Sequence, residues 1–316
     1  MVKDVYGRFV NMDGTSPHSF GDIMKWGISG VASRHRIRAQ RGATAPVVSP
    51  DIDLIHDVPG PCDGARLTWL GHSSWLVQMD SVSLLIDPVL LDRLEPGLRR
   101  KVPPGLRVEQ LPKIDAQLVT HSHYDHLDRP TLKAVGAPVV AGAGVSRILT
   151  GTGLECLELD WWEQTSVGGV RITFVPAQHW SRRGLLDGNR SLWGGFVIEG
   201  SSSRLYHAGD TAWFDRFREI GRRFPGLHAA MLPIGAYAPG WFMERHHLNP
   251  EQAVAAWLEL ESDLLLPMHW GTFRLSHEPL DEPSRRIREE WRRRGLDEAR
   301  LGLIPIGETV WVGMGT

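Results

Sequence analysis

From residue 65 onward, short apolar runs alternate with Gly, Asp, Asn and Pro breaks. Leu67–Trp69, Trp75–Gln78 and Ser83–Ile86 read as strands, with Gly71 ending the first run. Residues 116–120 form an apolar run that stops at a cluster of His and Asp. Over residues 170–175, Val170, Ile172 and Phe174 alternate with Arg171 and Thr173, the period of a strand. Phe196–Ile198, Leu205–Tyr206, Ala229–Leu232 and Leu264–Met268 are further strand candidates. Asn249, followed by Pro250 and Glu251, is a helix start: a capping side chain, then a proline at the first helical position. Ala253, Val254, Trp257 and Leu258 supply the apolar face of that helix. A mostly charged helix over 283–294 packs through Ile287 and Trp291, four apart. This alternation predicts an α/β domain over residues 61–316.

Residues 1–60 read as an N-terminal extension packed on that domain. Within it, Ser19 can cap a short helix carrying Phe20, Ile23, Met24 and Val31. Arg34, Arg36, Arg38 and Arg41 follow, read as a solvated face in preference to a lipid-headgroup patch. Residues 42–64 read as loop. The 316 residues are 42% hydrophobic, enough for a sizeable core. Thirty-five basic against 37 acidic residues leave a charge of −2, which argues against a nucleic-acid partner held by bulk positive charge. Cys62 and Cys156 are too few for a disulfide scaffold and read as two buried free thiols. Residues 1–12 lack a signal-peptide core and no apolar run is long enough to span a membrane, so a cytoplasmic protein is expected.

Chemistry concentrates at His121-Ser122-His123-Tyr124-Asp125-His126, directly after the 116–120 strand. Side chains in such a turn fan out and can serve two ions. Histidine and carboxylate donors with no nearby cysteine point to an open, catalytic type of metal site. His179, Asp210 and His269 each follow another apolar run, which repeats the placement.

With these residues in view, the chain resembles the metallo-β-lactamase superfamily, whose pattern is H-x-H-x-D-H plus a later His, Asp and His. More narrowly, it resembles the branch of N-acylphosphatidylethanolamine-hydrolysing phospholipase D and its bacterial relatives. That likeness rests on Trp69-Leu70-Gly71-His72, Ile86-Asp87-Pro88, residues 158–163, Gln178-His179-Trp180 and Leu192-Trp193-Gly194. It continues through Ala208-Gly209-Asp210-Thr211, residues 233–237, Trp241-Phe242-Met243 and residues 269–273. The resemblance implies an αββα sandwich, two mixed sheets with helices on the outer faces. It implies two zinc ions sharing a bridging hydroxide or water: His121, His123 and His179 on one, Asp125, His126 and His269 on the other, Asp210 on both.

The implied activity is a phospholipase D-type phosphodiesterase acting on N-acylphosphatidylethanolamine-like glycerophospholipids. Asp125, Asp210 and His247 would be its catalytic residues, with Tyr237, Trp241 and His247 at the substrate. A di-zinc lactonase or other ester hydrolase on a soluble, sugar-phosphate-like substrate is the alternative; a non-catalytic, zinc-stabilised lipid-binding module is a weaker one. Relatives of this kind associate peripherally with membranes and form dimers, so contact with the inner membrane face and a homodimer are both compatible. Asp87 is read as orienting a ligand histidine or as a plain turn residue. His72 and Tyr124 either line the cleft or pack beneath it. Trp180, Trp193 and Phe242 are offered with Tyr237 and Trp241 as an acyl groove, and Arg182 and Arg183 as phosphate contacts.

Overall fold

A computed structural model describes residues 3–15, 21, 25, 43–94, 97–184 and 186–313. Helix α1 (Ile52–His56) precedes β1 (Ala65–Gly71), β2 (Ser74–Met79), β3 (Val82–Ile86) and β4 (Ala116–Val119). Then come α2 (Arg129–Val135), β5 (Val139–Gly142), β6 (Cys156–Leu159), β7 (Gln164–Val167), β8 (Val170–Val175), β9 (Gly195–Glu199) and β10 (Arg204–His207). Helix α3 (Arg216–Arg223), β11 (Ala229–Pro233), α4 (Gly240–Met243), α5 (Pro250–Leu260), β12 (Leu264–Met268), α6 (Glu282–Arg293) and β13 (Thr309–Val312) complete the chain.

The strands form a 7-stranded sheet, β13-β1-β2-β3-β4-β5-β6, and a 6-stranded sheet, β12-β11-β10-β9-β8-β7. Both are mixed: β3 to β6 run parallel in the first and β10 to β12 in the second. Period-2 geometry sorts their side chains. Leu67, Trp69, Trp75, Val77, Leu84, Ile86 and Leu118 point into the core shared with Ile172, Phe174, Phe196, Ile198 and Leu205, which share one face of the second sheet. The intervening Leu70, Leu76 and Leu85 pack with Ile55 of α1, and Val119, Val139 and Ala141 with Leu132 of α2. With both faces covered, these strands read as continuous apolar runs.

On the far side, α5 packs on β11 and against α3 and α6. Its Trp257 meets Trp291 of α6 at 4.7 Å between ring centroids. The α5 start follows the expectation: Asn249 Oδ1 accepts from Gln252 N–H at 2.8 Å, and Gln252 returns a bond to the Asn249 N–H. The architecture is the expected αββα sandwich. Among the described residues no helix is long and apolar enough to cross a membrane.

Two expectations need correction. Cys62 is exposed and Cys156 half-buried, so they are not two buried thiols. The 42–64 loop contains helix α1, capped by Asp51. Phe9, Asn11 and Ala45 of the N-terminal region are buried. Ser19, Phe20, Ile23, Met24 and Val31 of the expected helix, and the Arg34–Arg41 run, lie outside the described residues.

Candidate metal centre

Each candidate ligand sits where a strand ends. His72 follows β1, Asp87 follows β3, His121–His126 follow β4, His179 follows β8, Asp210 follows β10 and His269 follows β12. The C-terminal ends of both sheets therefore converge on one cleft. The β4 loop turns tightly because His126 and Leu127 N–H both bond the His123 carbonyl. Leu127 is buried in the α2 cluster, and Asp128 caps that helix. Gly209 holds φ +62°, and a Cβ there would lie 2.8 Å from Thr120 Cβ, so glycine lets the Asp210 loop reach the β4 end.

Two pockets result. In the first, His123 Nδ1 lies 2.8 Å from His121 Nε2 and 3.2 Å from His179 Nε2. In the second, Asp125 Oδ2 lies 3.6 Å from His269 Nε2 and 3.8 Å from His126 Nε2. Asp210 stands between them. Its Oδ2 is 4.0 Å from His121 and 3.9 Å from His179, yet 3.2 Å from His126, and its Oδ1 is 3.1 Å from His269. Asp210 is 3% exposed. Ligand-type atoms of each set lie within 4.8 Å of one another.

Hydrogen bonds on the outer ring nitrogens set which lone pairs face inward. Asp87, fully buried, accepts from the Thr120 N–H at 2.8 Å, from the Thr120 hydroxyl at 2.6 Å and from His126 Nδ1 at 2.7 Å. The Thr120 oxygen, its proton committed to Asp87, accepts from His121 Nδ1 at 3.0 Å. His179 Nδ1 donates to the His246 carbonyl at 2.8 Å. With Nδ1 occupied on the outer side, Nε2 is the nitrogen that each of these three rings turns toward the cleft. Nε2 of His126 and His269 and Oδ1 of Asp210 are buried without an aligned hydrogen-bond partner. Convergent lone pairs of this kind fit a cation.

Electrostatics separate the pockets. Burial, and then His126, push His121 well below the usual imidazole value; burial also takes His123 down to about 4 and His179 well below its usual range. Burial would likewise lower His126 and His269, but Asp210 and the other nearby carboxylates override it. His126 rises well above its ordinary value and His269 to about 9. Burial opposes ionisation of Asp210, yet His126 and His269 hold it well below the usual carboxylate range. Positive charge is stabilised between the two aspartates, where a cation would take the place of the histidine protons.

All seven expected ligands thus meet in one cleft. His72 joins the second pocket: its Nε2 is 2.9 Å from Asp125 Oδ2, and the ring is 1% exposed. The sequence had left it between cleft and core. His247 lies with Nδ1 3.8 Å from Asp210 Oδ2, and burial lowers its pKa to about 4. It lines a cavity of about 310 Å³ with Tyr237, Glu244, Asn249, Gln252 and Arg286. Trp241 stands apart from that lining, half-exposed against Phe242 and Lys25.

Other expected contacts turn out to be structural. Trp193 is fully buried and donates to Ala177 O, so it belongs to the core and not to a groove. Arg183 stacks 3.9 Å over Tyr124 and donates to the Ser122 and Leu127 carbonyls, bracing the His-rich loop instead of facing a phosphate. Tyr124 donates to the Arg183 carbonyl, and Arg182 to that of Gly184. Thr120 and the His246 carbonyl were not anticipated. Thr120 adjoins the His-rich run and could have been suspected; a backbone carbonyl leaves no trace in sequence.

The profile of the β-lactamase superfamily domain matches residues 83–270. An N-acyl-phosphatidylethanolamine-hydrolyzing phospholipase D of Caenorhabditis elegans is 33% identical over 291 residues, 85% of this chain and 80% of its own. A metal-dependent hydrolase of Methanopyrus kandleri is 32% identical over 246 residues, 76% of this chain and 97% of its own. Among solved structures, the metallo hydrolase Igni18 of Ignicoccus hospitalis aligns with a TM-score of 0.59 at 25% identity, covering 78% of this chain and 97% of its own.

Proposed function

Because this chain belongs to the β-lactamase superfamily and is a metal-dependent hydrolase, we propose that it is a di-zinc phosphodiesterase of phospholipase D type. Its substrate class would be N-acylphosphatidylethanolamine-like glycerophospholipids, the class in the name of the C. elegans relative. The observation that carries the two-ion reading is Asp210, one carboxylate flanked by histidines of both pockets. His121, His123 and His179 would hold one zinc; Asp125, His126 and His269 the other; Asp210 both. Zinc there would supply Lewis-acid neutralisation of phosphoryl charge and an acidified water.

The protein's own groups do the rest. Asp87 and the His246 carbonyl fix the ring tautomers before substrate arrives. Asp125 and Asp210 keep the cleft anionic enough to retain cations. His247, lowered to about 4, is a neutral imidazole at pH 7. In the cavity wall it can hydrogen-bond a phosphoryl or leaving-group oxygen. In the reaction, water adds to phosphorus, the bond from phosphorus to the N-acylethanolamine oxygen breaks, and the proton ends on the departing alkoxide. Phosphatidate and N-acylethanolamine are the products.

Zinc-loaded protein should be incubated with vesicles containing N-acylphosphatidylethanolamine, and separately with a mixed lipid extract and a lactone panel. Mass spectrometry is expected to find phosphatidate and N-acylethanolamine in equal amounts, lost on chelation. Dominant lactone turnover with untouched phospholipid would overturn the substrate class.

A further inference from the structure

The N-terminal region reaches the metal cleft. Phe9 N–H bonds the Asn189 carbonyl at 2.9 Å, and Asn189 Nδ2 returns a bond to the Phe9 carbonyl at 3.2 Å. Two residues on, Asn11 is 3% exposed and meets the His179 loop. Its Nδ2 donates to the His179 carbonyl at 2.9 Å and to the Thr15 carbonyl at 3.1 Å. Its Oδ1 accepts from the His179 N–H at 3.2 Å and from Trp193 Nε1 at 3.0 Å. Both donors and both acceptor positions of the amide are thereby used. Asp13 adds a bond from Gln178 Nε2 at 2.8 Å.

We propose that residues 9–15 form a strap in which Asn11 is a positioning residue for the first metal pocket, fixing the backbone of His179 on both sides. The proposal rests on His179 being a metal ligand. Residue 179 follows β8 by a short irregular segment, outside any sheet ladder. Its backbone N–H and C=O are bonded by one side chain, and its ring is fixed separately by Nδ1 on the His246 carbonyl. With the peptide held from one side and the ring from the other, the direction of Nε2 is determined. A buried amide with no spare bond has few alternative positions, which makes it a stiff clamp. Asn11 touches no group of the second pocket, so its influence is confined to one ion.

The test compares wild type, Asn11→Ala and Asn11→Asp in the full chain. Stepwise zinc affinities are measured by competition with a chromophoric chelator, and the cobalt-substituted absorption spectrum reports ligand geometry. Asn11→Ala is expected to weaken one of two zinc-binding steps by about 10- to 100-fold and leave the other within about twofold, the scale for losing a group that orients a ligand. The cobalt bands should shift with it. Asn11→Asp keeps the shape and the Oδ1 acceptor but turns an acceptor oxygen toward the His179 and Thr15 carbonyls, so it should weaken the same step at least as much and leave the other unchanged. A lowered melting temperature with unchanged affinities and spectrum in both variants would overturn the proposal and leave the strap a packing element. Wild type that binds no metal would overturn the metal-centre reading and the strap's role with it; wild type that binds two ions beside variants that do the same unaltered sinks only the strap.

Discussion

Asp87→Asn changes one atom and tests the logic of the centre. Asp87 accepts from the Thr120 N–H, the Thr120 hydroxyl and His126 Nδ1 at 2.6–2.8 Å. An amide has one acceptor oxygen. With that oxygen on the Thr120 N–H, the new NH2 meets the Thr120 oxygen and His126 Nδ1. His126 must then become an acceptor at Nδ1, which moves its proton to Nε2 and removes the lone pair facing Asp210. With the amide turned over, NH2 meets the Thr120 N–H, a buried donor–donor contact costing about 1–3 kcal/mol. Either way the second pocket loses a ligand or the β4 end loses its anchor. Groups that orient metal-bound histidines are worth about 10- to 100-fold in affinity, or about 1.4–2.7 kcal/mol. Zinc titration of purified protein should therefore show the second step weakened by that factor. An affinity for both ions within about twofold of wild type would refute the tautomer argument.

Three further outcomes follow from the same geometry. A Cβ on Gly235 would lie 2.1 Å from the His269 carbonyl oxygen, so Gly235→Ala should lower thermal stability by about 1–3 kcal/mol and displace His269; unchanged melting and zinc content would contradict this. His247→Ala should keep both ions at saturating zinc and lower kcat by about 10²–10⁴-fold, read by metal analysis beside steady-state rates. Because the carboxylates outweigh burial and hold His269 near a pKa of about 9, it carries a proton at pH 7 that a metal ion must displace. Zinc uptake in weak buffer should release protons, and affinity should rise with pH and level off above about 9; a flat profile would refute the competition between proton and metal at His269.

The strand-end candidate ligands were legible because local sequence encodes them. An apolar run ending at His121, Asp210 or His269 carries its own signal, and strands buried on both faces are continuous in hydrophobicity. Edge strands were harder. Gln164–Val167 is half-exposed along its length, and Cys156–Leu159 mixes charge with apolar residues, so neither stands out from loop. Trp193 and Arg183 were misread for a related reason. Proximity in sequence to a ligand does not say which way a side chain turns, and both turn away from the cleft to satisfy backbone carbonyls. Asn11 lies 168 positions from His179, and no local pattern could connect them.

The backbone at these strand ends explains why the candidate ligands converge. His72, Asp87 and His269 adopt φ of +56°, +42° and +63°, a region that histidine and aspartate tolerate better than β-branched residues. Such conformations cost of order 1–3 kcal/mol each and persist where the surroundings fix them. Here the fixing bonds are explicit: His269 N–H to the His72 carbonyl at 3.0 Å, His72 N–H to Thr272 Oγ1 at 2.9 Å, and Asp87 N–H to the Leu118 carbonyl at 2.8 Å. An extended continuation would carry these side chains past the sheet edge. The abrupt reversal turns His72 and His269 inward to Asp125 and Asp210, and Asp87 onto Thr120 and the outer nitrogen of His126. The sheets provide the rigid frame, the reversals aim the ligands, and the bonds that hold the reversals run between strands that also carry ligands. A disturbance at one of these strand ends should therefore pass to the neighbour it is bonded to, between His72 and His269 within the second pocket and from Asp87 to the end of β4.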